Sequence, residues 1–417
     1  MRKLFAVFGV LGLVLATSAT AFASTNGTNL IGIGPIARSM GGVGIAAPQD
    51  AISAVFANPA AMCFGAYCPG SEFNFAGTLF RPKPEAKVSA GGVTASAQSD
   101  EKIYNIPAIG LSVPIPVAPE IWRFGLAAYG VSGLGVDYRD TKLDQPVANF
   151  GGNPLAAGTD TQLQTMKFAP AVAYQPTDRL SLGLDLQIDY SSLDLGSGST
   201  FNYGWGYQLG VLYRLTDAIS LGATYISPQK VKYENVLAKP DGFSANLELE
   251  SPQQVGFGVA FTLFDKLLLE GDVKWLNWSD AQGYHEFDWD DQWVYALGAQ
   301  YEVIPKLFLR AGFNYGSNPV KRHENFTGTT FKTVQGTTLP TYYYETFRII
   351  GFPAIVETHL TAGIGYEFSP KFGLHMGYTH AFEKKIKESG TGLDGGPASM
   401  ESKLYEDSLE LGLTWRF

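Results

Sequence analysis

The stretch Leu409–Phe417 alternates between apolar and polar side chains at every position. The odd positions carry Leu409, Leu411, Leu413, Trp415 and Phe417, and the even positions carry Glu410, Gly412, Thr414 and Arg416. Successive side chains of a strand point to opposite faces, so the pattern predicts a strand with one apolar and one polar face. Such an apolar face either packs on a core or contacts lipid while the polar face lines a closed barrel.

Other segments favour the barrel. Leu180–Tyr190 and Leu307–Tyr315 alternate in the same way, and in Leu267–Trp275 the polar face carries Glu270, Asp272 and Lys274. Charged groups two residues apart on one strand face need water or each other, which a polar lumen supplies and a sandwich core does not. The composition agrees, because 45% of the residues are hydrophobic and only 17% are charged, although no apolar run is long enough for a membrane helix.

The connections between strands are short on one side and long on the other. Tight turns with Asp or Pro recur at about residues 174–180, 215–219, 263–267, 303–307 and 368–372, and more polar connections lie between them. This asymmetry is typical of an outer-membrane β-barrel with periplasmic turns. The alternating segments predict fourteen strands, near residues 71–81, 102–114, 122–138, 165–175, 180–194, 202–215, 219–236, 245–263, 267–278, 291–303, 307–316, 357–368, 372–387 and 402–417. Six tryptophans near strand ends are expected to form interfacial girdles; they are Trp122, Trp275, Trp278, Trp289, Trp293 and Trp415.

The N-terminal region predicts export. Arg2 and Lys3 precede the apolar run Leu4–Ala16, and Ala21-Phe22-Ala23 forms a small-residue cleavage site, so residues 1–23 are predicted to be a signal peptide. Residues 24–69 are rich in small side chains, and a fourteen-stranded barrel is too wide to be filled by its own side chains. We therefore expect residues 24–69 to form a plug inside an all-β, antiparallel barrel of residues 70–417, located in the outer membrane of a Gram-negative bacterium.

No motif for catalysis or cofactor binding stands in a suitable context. Residues 42–47 match G-x-G-x-x-A, but no βαβ unit surrounds them, and the five histidines form no zinc-protease motif. We expect no enzyme activity, no cofactor and no metal, and the net charge of −9 argues against a nucleic-acid partner. Four residues separate Cys63 from Cys68 on the exported part of the chain, where either a disulfide or two free thiols is compatible with the sequence.

Several motifs together carry a family resemblance. Gly41–Ala46, Phe56–Ala60, Gly125–Leu134, Tyr225–Lys230 and Leu309–Phe313 occur in an order and spacing that resemble the outer-membrane long-chain fatty-acid and aromatic-hydrocarbon transporters of the FadL/TodX type. The resemblance implies a fourteen-stranded barrel closed by an N-terminal hatch. It also implies that an apolar solute leaves sideways, through a gap in the wall where the third strand is kinked.

The resemblance assigns residues to that gap by position. Gly130, Ser132 and Gly133 would form the kink, and Asn58, Pro59 and Ala60 of the hatch would lie across from it. The alternative is that the two glycines only relieve crowding around the plug.

The chain departs from the fatty-acid transporters in its loops. Its long connections are residues 139–164 and 317–356, and the second carries aromatic and basic residues that would capture an amphiphilic anion, unless they are packed loop residues. The proposed capture residues are Phe326, Phe331, Tyr342, Tyr343, Tyr344, Phe347 and Arg348.

The preferred interpretation is a passive outer-membrane transporter of hydrophobic compounds, with long-chain fatty acids as the expected solute. The alternatives are aromatic hydrocarbons or other small apolar solutes taken by the same route, a surface barrel acting as an adhesin or receptor, and a diffusion porin. The expected partners are the hydrophobic solute together with outer-membrane lipid and lipopolysaccharide, and a monomer is expected.

Overall fold

Fourteen strands form a closed antiparallel barrel in the computed structural model, which describes residues 25–64, 70–100, 103–238 and 244–417. The predicted signal peptide and Cys68 lie outside the described residues. The strands are β1 (Glu72–Ala90), β2 (Tyr104–Pro114), β3 (Trp122–Asp137), β4 (Asp160–Thr177), β5 (Leu180–Asp194), β6 (Thr200–Thr216), β7 (Ile219–Ile226), β8 (Gln253–Leu263), β9 (Leu267–Asn277), β10 (Gln292–Ile304), β11 (Leu307–Gly316), β12 (Thr358–Ser369), β13 (Phe372–Thr391) and β14 (Pro397–Arg416). Each strand pairs with the next, and β14 pairs with β1 from Ser399–Ser89 to Arg416–Glu72, which closes the barrel. The predicted fourteen-stranded antiparallel barrel is confirmed.

The alternating pattern sorts side chains between the outside and the lumen. On β14, the outward Leu411 and Trp415 are 48% and 57% exposed, whereas the inward Glu410 is fully buried. The same outward exposure of large apolar side chains recurs on β5, β6 and β10. The outer surface therefore carries an apolar belt, as a lipid-facing wall requires.

The N-terminal segment, residues 25–64, lies inside the barrel and is almost wholly buried. It contains the short strands Thr25–Asn26 and Asn29–Leu30, the helices Gly34–Ser39 and Ala51–Ala57, and the 3-10 turn Pro59–Cys63. Asp50 caps the second helix, accepting the Ser53 N–H at 2.8 Å. The predicted plug is confirmed, and we call residues 25–64 the hatch. Among the described helices, none is long and apolar enough to cross a bilayer.

Two of the predicted strands were wrong in their extent. Residues 219–236 and 245–263 each divide into a barrel strand and one arm of a separate hairpin, Gln229–Ala238 with Ser244–Ser251. The divisions fall at Pro228 and Pro252, which have no N–H to continue the barrel ladder. The hairpin packs against β6, where the Val231 side chain lies over Gly204.

The long connections form a packed cap over one end of the barrel. The strand Val93–Gln98 extends β1 as a hairpin, and residues 139–159 contain Pro146–Val147, Asn153–Pro154 and the turn Ala148–Phe150. Residues 317–357 contain Glu324–Phe326, Phe331–Val334, Thr337–Pro340, the helix Thr341–Thr346 and the π-turn Phe347–Gly351.

The girdle prediction fails for two tryptophans. Trp278 and Trp289 are buried and pack against the Tyr284 ring, Trp278 edge to face and Trp289 at a tilt, each at a ring-centroid distance of 4.7 Å and beside the turn His285–Phe287. The connection between β9 and β10 folds these rings into the cap, where burying them removes more apolar surface from water than an interfacial position.

Candidate functional site

Carboxylates on the barrel wall hold the backbone of the hatch. Glu270 on β9 accepts the N–H groups of Ala46 and Ala47 at 2.7 and 2.9 Å, and Asp272 accepts those of Gly44 and Ile45 at 3.0 and 3.3 Å. This explains why acidic side chains stand two residues apart on an inward strand face: each satisfies backbone donors that the irregular hatch leaves unpaired.

A buried ion pair fixes the first hatch helix. The Arg38 Nε lies 2.7 Å from the Glu410 Oε1, and both side chains are fully buried. Arg38 also donates to the Ser408 Oγ at 3.0 Å and to the carbonyl of Gly32 at 3.2 Å. Because the pair is hydrogen-bonded on both sides, each charge is compensated in the interior.

A belt of glycines lets the hatch approach the wall. A Cβ on Gly298 would lie 2.5 Å from the Met40 carbonyl oxygen, and the other members meet hatch atoms at similarly short distances. The belt consists of four directly opposed glycine pairs: Gly183 with Gly210, Gly222 with Gly258, Gly298 with Gly312, and Gly363 with Gly377. We call these eight residues the glycine belt. Strand glycines weaken pairing but permit close backbone approach, which is their role here.

The wall is incompletely paired between β2 and β3. The two strands pair from Pro114–Arg123 to Ala108–Tyr129, and beyond that point, within the described residues, β1 is the only barrel strand paired with β2 and β4 the only barrel strand paired with β3. A β-bulge lies between Gly130 and Ser132 in the β3–β4 ladder. A bulge bends its strand, which separates β3 from β2 here.

The hatch takes the place of the missing strand partner. Asn29 pairs with Ser132, and the Gly133 N–H donates to the Thr28 carbonyl at 3.1 Å. We call this opening, between residues 104–107 of β2 and 130–134 of β3, the window. A cavity of about 140 Å³ occupies the window and is lined by Leu30, Ile106, Gly130 and Met166, among others. Its lining includes residues from both faces of the wall, the outward Asn105 and the inward Ile106.

A second cavity, of about 50 Å³, lies on the lumenal side of the same hatch segment. Its apolar lining includes Leu30, Phe56 and Val131, and its polar lining includes Lys167 and Lys274. Leu30, which is 6% exposed, lines both cavities and therefore separates the lumen from the window.

The two lysines are held in place by lumenal partners. The Lys167 Nζ lies 3.1 Å from the Asp189 Oδ1 and donates to the Gln187 Oε1 at 2.7 Å. The Lys274 Nζ donates to the Gly42 carbonyl at 3.2 Å. The sequence analysis did not single out these lysines as a pair, although their inward position follows from strand alternation.

The structure brings Gly130, Ser132 and Gly133 together at the window, but it does not bring Asn58, Pro59 and Ala60 to them. The Asn58 Nδ2 donates to the Val211 carbonyl on β6 at 3.1 Å, and the Ala60 carbonyl accepts the Ser181 hydroxyl on β5 at 2.7 Å. The glycines at residues 183 and 210 make this approach possible. The residues across the window are instead Thr28, Asn29 and Leu30.

The proposed capture residues mostly lie inside the cap. Phe326, Tyr342 and Tyr344 are buried, Tyr343 and Phe347 are partly buried, and Phe331 is 68% exposed. Burial raises the pKa of Tyr343 to about 12, so its phenol stays neutral and donates to the Pro154 carbonyl at 2.8 Å. The Tyr342 hydroxyl donates to the Leu155 carbonyl at 2.6 Å, so the two long connections pack against each other.

Arg348 is committed to protein partners. Its guanidinium is buried, lies 3.1 Å from the Glu345 Oε2 and also binds Glu388 on β13. His323 completes the group, with its Nδ1 2.9 Å from the same Glu345 oxygen. Of the described residues, only His323, Glu345 and Glu388 are grouped closely enough to hold a metal ion, and the guanidinium already compensates the two carboxylates. Arg348 is thus occupied within the cap and does not face an incoming solute.

Cys63 is buried at the end of the hatch. The possible disulfide with Cys68 lies outside the described residues, because residues 65–69 are not described.

Comparison with known proteins gives one family and a consistent fold. Residues 13–201 and 197–327 match the family described as outer membrane protein transport protein (OMPP1/FadL/TodX). Outer membrane protein P1 of Haemophilus influenzae is 25% identical over 273 residues, covering 61% of this chain and 52% of the relative. The chain thus spans about half the length of that relative.

Solved structures match over nearly the whole chain. The toluene transporter TodX of P. putida superimposes with a TM-score of 0.66 at 18% identity, covering 93% of this chain and 99% of that one. A FadL homologue of Pseudomonas aeruginosa gives a TM-score of 0.67 at 16% identity, covering 95% and 100%. At these identities the likeness establishes the fold.

Proposed function

We propose that this chain, which belongs to the OMPP1/FadL/TodX family of outer membrane transport proteins, carries long-chain fatty acids passively across the outer membrane. The proposed route runs from the cap to the lumenal cavity, past Leu30, and out through the window into the bilayer. In this proposal the hatch belongs to an N-terminal plug domain of residues 24–69, and residues 70–417 form the barrel domain.

The observation that supports the choice of solute is a pair of ammonium groups, on the buried Lys167 and the partly buried Lys274, beside a cavity whose lining is in part apolar. Lys167 and Lys274 line the same lumenal space as Leu30, Phe56 and Val131. A fatty acid presents a carboxylate and an acyl chain, and such a site offers a charge-assisted hydrogen bond to the first and apolar surface to the second. An uncharged aromatic hydrocarbon has no carboxylate to accept such a bond, and its ring offers the ammonium groups only the weaker cation–π attraction.

The window suits the exit of an apolar chain. Each CH₂ that stays out of water keeps roughly 0.8 kcal/mol, so a continuous apolar path from the cavity to lipid avoids a barrier at every step. The two cavities share one lining residue, Leu30 of the hatch strand Asn29–Leu30. Movement of this strand away from β3 would join them, and the gradient of solute would drive transport without a cofactor.

A disulfide between hatch and wall tests the route. Asn29 and Ser132 form a non-hydrogen-bonded pair flanked by the Gly133–Thr28 bond, and the Cα atoms of such pairs are about 4.5 Å apart, within the range that disulfides bridge. The variant Asn29→Cys/Ser132→Cys, made after Cys63 and Cys68 are both changed to Ala, locks the window when oxidised.

The measurement is uptake of radiolabelled oleate and toluene by cells of a Gram-negative host that lacks its own fatty-acid barrel. Oxidised cells should lose oleate uptake and regain it with a membrane-permeant reductant. The control Ser89→Cys/Thr94→Cys forms a bridge at the outer hairpin, where the two hydroxyls lie 2.8 Å apart, and should transport normally in both states. Oleate uptake that continues with the window locked would refute lateral exit.

The alternatives give different results. Uptake of toluene but not oleate would establish an aromatic-hydrocarbon transporter that uses the same route. Steady ion conductance in planar bilayers would identify a diffusion porin. A barrel that transports neither solute but mediates adhesion through residues 317–356 would be a surface receptor.

A further inference from the structure

The hairpin Gln229–Ala238 with Ser244–Ser251, which we call the inner hairpin, stands between the cap and the lumenal cavity. It leaves the barrel at the ends of β7 and β8 that point toward the long connections, since the other ends of these two strands carry short turns. Its first residue pair, Gln229 with Ser251, lines the lumenal cavity together with Lys167. A solute that travels from the cap to this cavity therefore meets the base of the inner hairpin.

Gln229 is the residue of the inner hairpin that reaches the lysine of the lumenal cavity. Its side chain is buried, its Oε1 accepts a hydrogen bond from the Lys167 Nζ, and its Nε2 donates to the Ser227 carbonyl at 2.5 Å. Gly206 on β6 makes room for it, because a Cβ at this position would overlap the Gln229 side chain. The amide is thus packed against the wall, and its oxygen is bound to an ammonium group.

Three side-chain oxygens surround the Lys167 ammonium, which has three N–H donors. Those of Gln187 and Gln229 accept hydrogen bonds from it, and the Asp189 Oδ1 lies 3.1 Å away as its counter-ion. A fatty-acid carboxylate can join this shell only if one of the three oxygens leaves it.

Gln229 is the oxygen donor that a carboxylate displaces most readily. Displacing Asp189 would leave a fully buried carboxylate without its counter-ion. Gln187 is fixed within the wall by a second bond, from its Nε2 to the Gln208 Oε1 at 3.0 Å. Gln229 is neutral and belongs to an element outside the barrel ladder, and a carboxylate binds an ammonium group more strongly than an amide oxygen does.

We propose that Gln229 is a built-in surrogate of the fatty-acid carboxylate and determines which solutes can open the lumenal cavity, an inference that rests on the proposed function. In the empty transporter its amide oxygen occupies the place of a carboxylate oxygen on Lys167. An arriving carboxylate displaces it, and the base of the inner hairpin moves with the buried side chain. An uncharged solute cannot compete for Lys167 in this way, so Gln229 favours amphiphilic anions over neutral apolar solutes.

Binding of oleate and of oleyl alcohol to the full chain in detergent, measured by isothermal titration calorimetry, tests the proposal. The two probes share a hydrocarbon chain and differ in the head group. Gln229→Ala removes the surrogate, and Gln229→Glu turns it into a carboxylate. The matched controls are Lys232→Ala, which shortens an exposed side chain of the inner hairpin, and Asn246→Asp, which adds a negative charge at an exposed position of it.

Gln229→Ala should bind oleate about tenfold more tightly than the wild type, because no hydrogen bond to the ammonium has to be broken first. It should bind oleyl alcohol as the wild type does. Gln229→Glu should bind oleate about tenfold more weakly or not at all, and both controls should bind the two probes like the wild type. The heat-dependent mobility of each barrel on gels reports folding.

Three results in folded variants would overturn the proposal. Weaker oleate binding by Gln229→Ala would show that Gln229 binds the solute, an equal gain for oleate and oleyl alcohol would show that it only fills space, and unchanged affinities in both Gln229 variants would show neither role. If the wild type takes up oleate, any of these results leaves the proposed function intact. A wild type that neither binds nor takes up oleate would overturn the proposed function and this inference together.

Discussion

The ion pair between Arg38 and Glu410 allows a quantitative prediction about how the hatch is held. Replacing Glu410 with Ala removes one member of a fully buried pair with a 2.7 Å contact. Among the described residues, the acceptors that then remain for the Arg38 guanidinium are the Ser408 hydroxyl and the Gly32 carbonyl, both neutral.

The expected magnitude follows from the burial of the charge left behind. Breaking a buried pair by removing one partner costs about 3–5 kcal/mol. If this cost falls on docking of the hatch, its dissociation from the wall becomes more frequent by roughly two to four orders of magnitude. The double variant Arg38→Met/Glu410→Leu removes both charges and should restore most of the lost docking, since an apolar replacement of a buried pair is often neutral.

Two assays report the effect. Hydrogen exchange of amides in residues 34–41 should accelerate in Glu410→Ala, and ion conductance in planar bilayers should show openings that the wild type lacks. The control Glu401→Ala removes an outward carboxylate of the same strand, whose exposed pair with Lys385 contributes under about 1 kcal/mol. Wild-type exchange and conductance in folded Glu410→Ala would show that the pair does not hold the hatch.

Three further predictions concern the belt of glycines, the lumen and the lipid face. Gly312→Val should unseat the hatch and produce ion conductance, because overpacking costs about 1–3 kcal/mol, whereas Gly77→Val, whose Cβ meets no atom within 4 Å, should conduct like the wild type. Lys167→Gln should lower oleate uptake about tenfold, because a charge-assisted hydrogen bond to the carboxylate is lost, and should leave any toluene uptake unchanged. An equal loss of oleate and toluene uptake would show that Lys167 does not bind the head group. Leu411→Arg should lower the free energy of unfolding by about 2–4 kcal/mol in a urea titration in vesicles, and a smaller change would mean that Leu411 lies outside the hydrocarbon region.

The strands and their faces were predictable because a period of two is a local property of the sequence. Leu411 and Glu410 lie on opposite faces for this reason alone. The errors at residues 219–236 and 245–263 arose because alternation continues through Pro228 and Pro252, although the backbone leaves the barrel ladder there. The prolines were visible in the sequence, but the inward turn of the hairpin depends on its packing against β6.

The site was less predictable because it depends on distant contacts. Leu30 separates two cavities only once Asn29 is paired with Ser132, about a hundred residues away. Arg348 belongs to the cap because Glu388 reaches it from β13, and no local pattern indicates that pairing. Composition alone does not tell whether the aromatic residues of a loop pack inward or face water. The burial of Tyr342 and Tyr344 therefore follows from the way both long connections fold together.

At Ser132 the hatch replaces a strand partner, and this replacement determines how much free energy the proposed opening of the window costs. Within the described residues the hatch pairs with β3 only at Asn29–Ser132, where one of the backbone bonds runs from the Gly133 N–H to the Thr28 carbonyl, and each such bond contributes only about 0.5–1.5 kcal/mol net. That is at most a few times the thermal energy at room temperature. In the proposed route the hatch strand leaves β3 by breaking bonds of this size rather than a full strand ladder, so the opening beside Leu30 would be driven by thermal motion and would need no energy source.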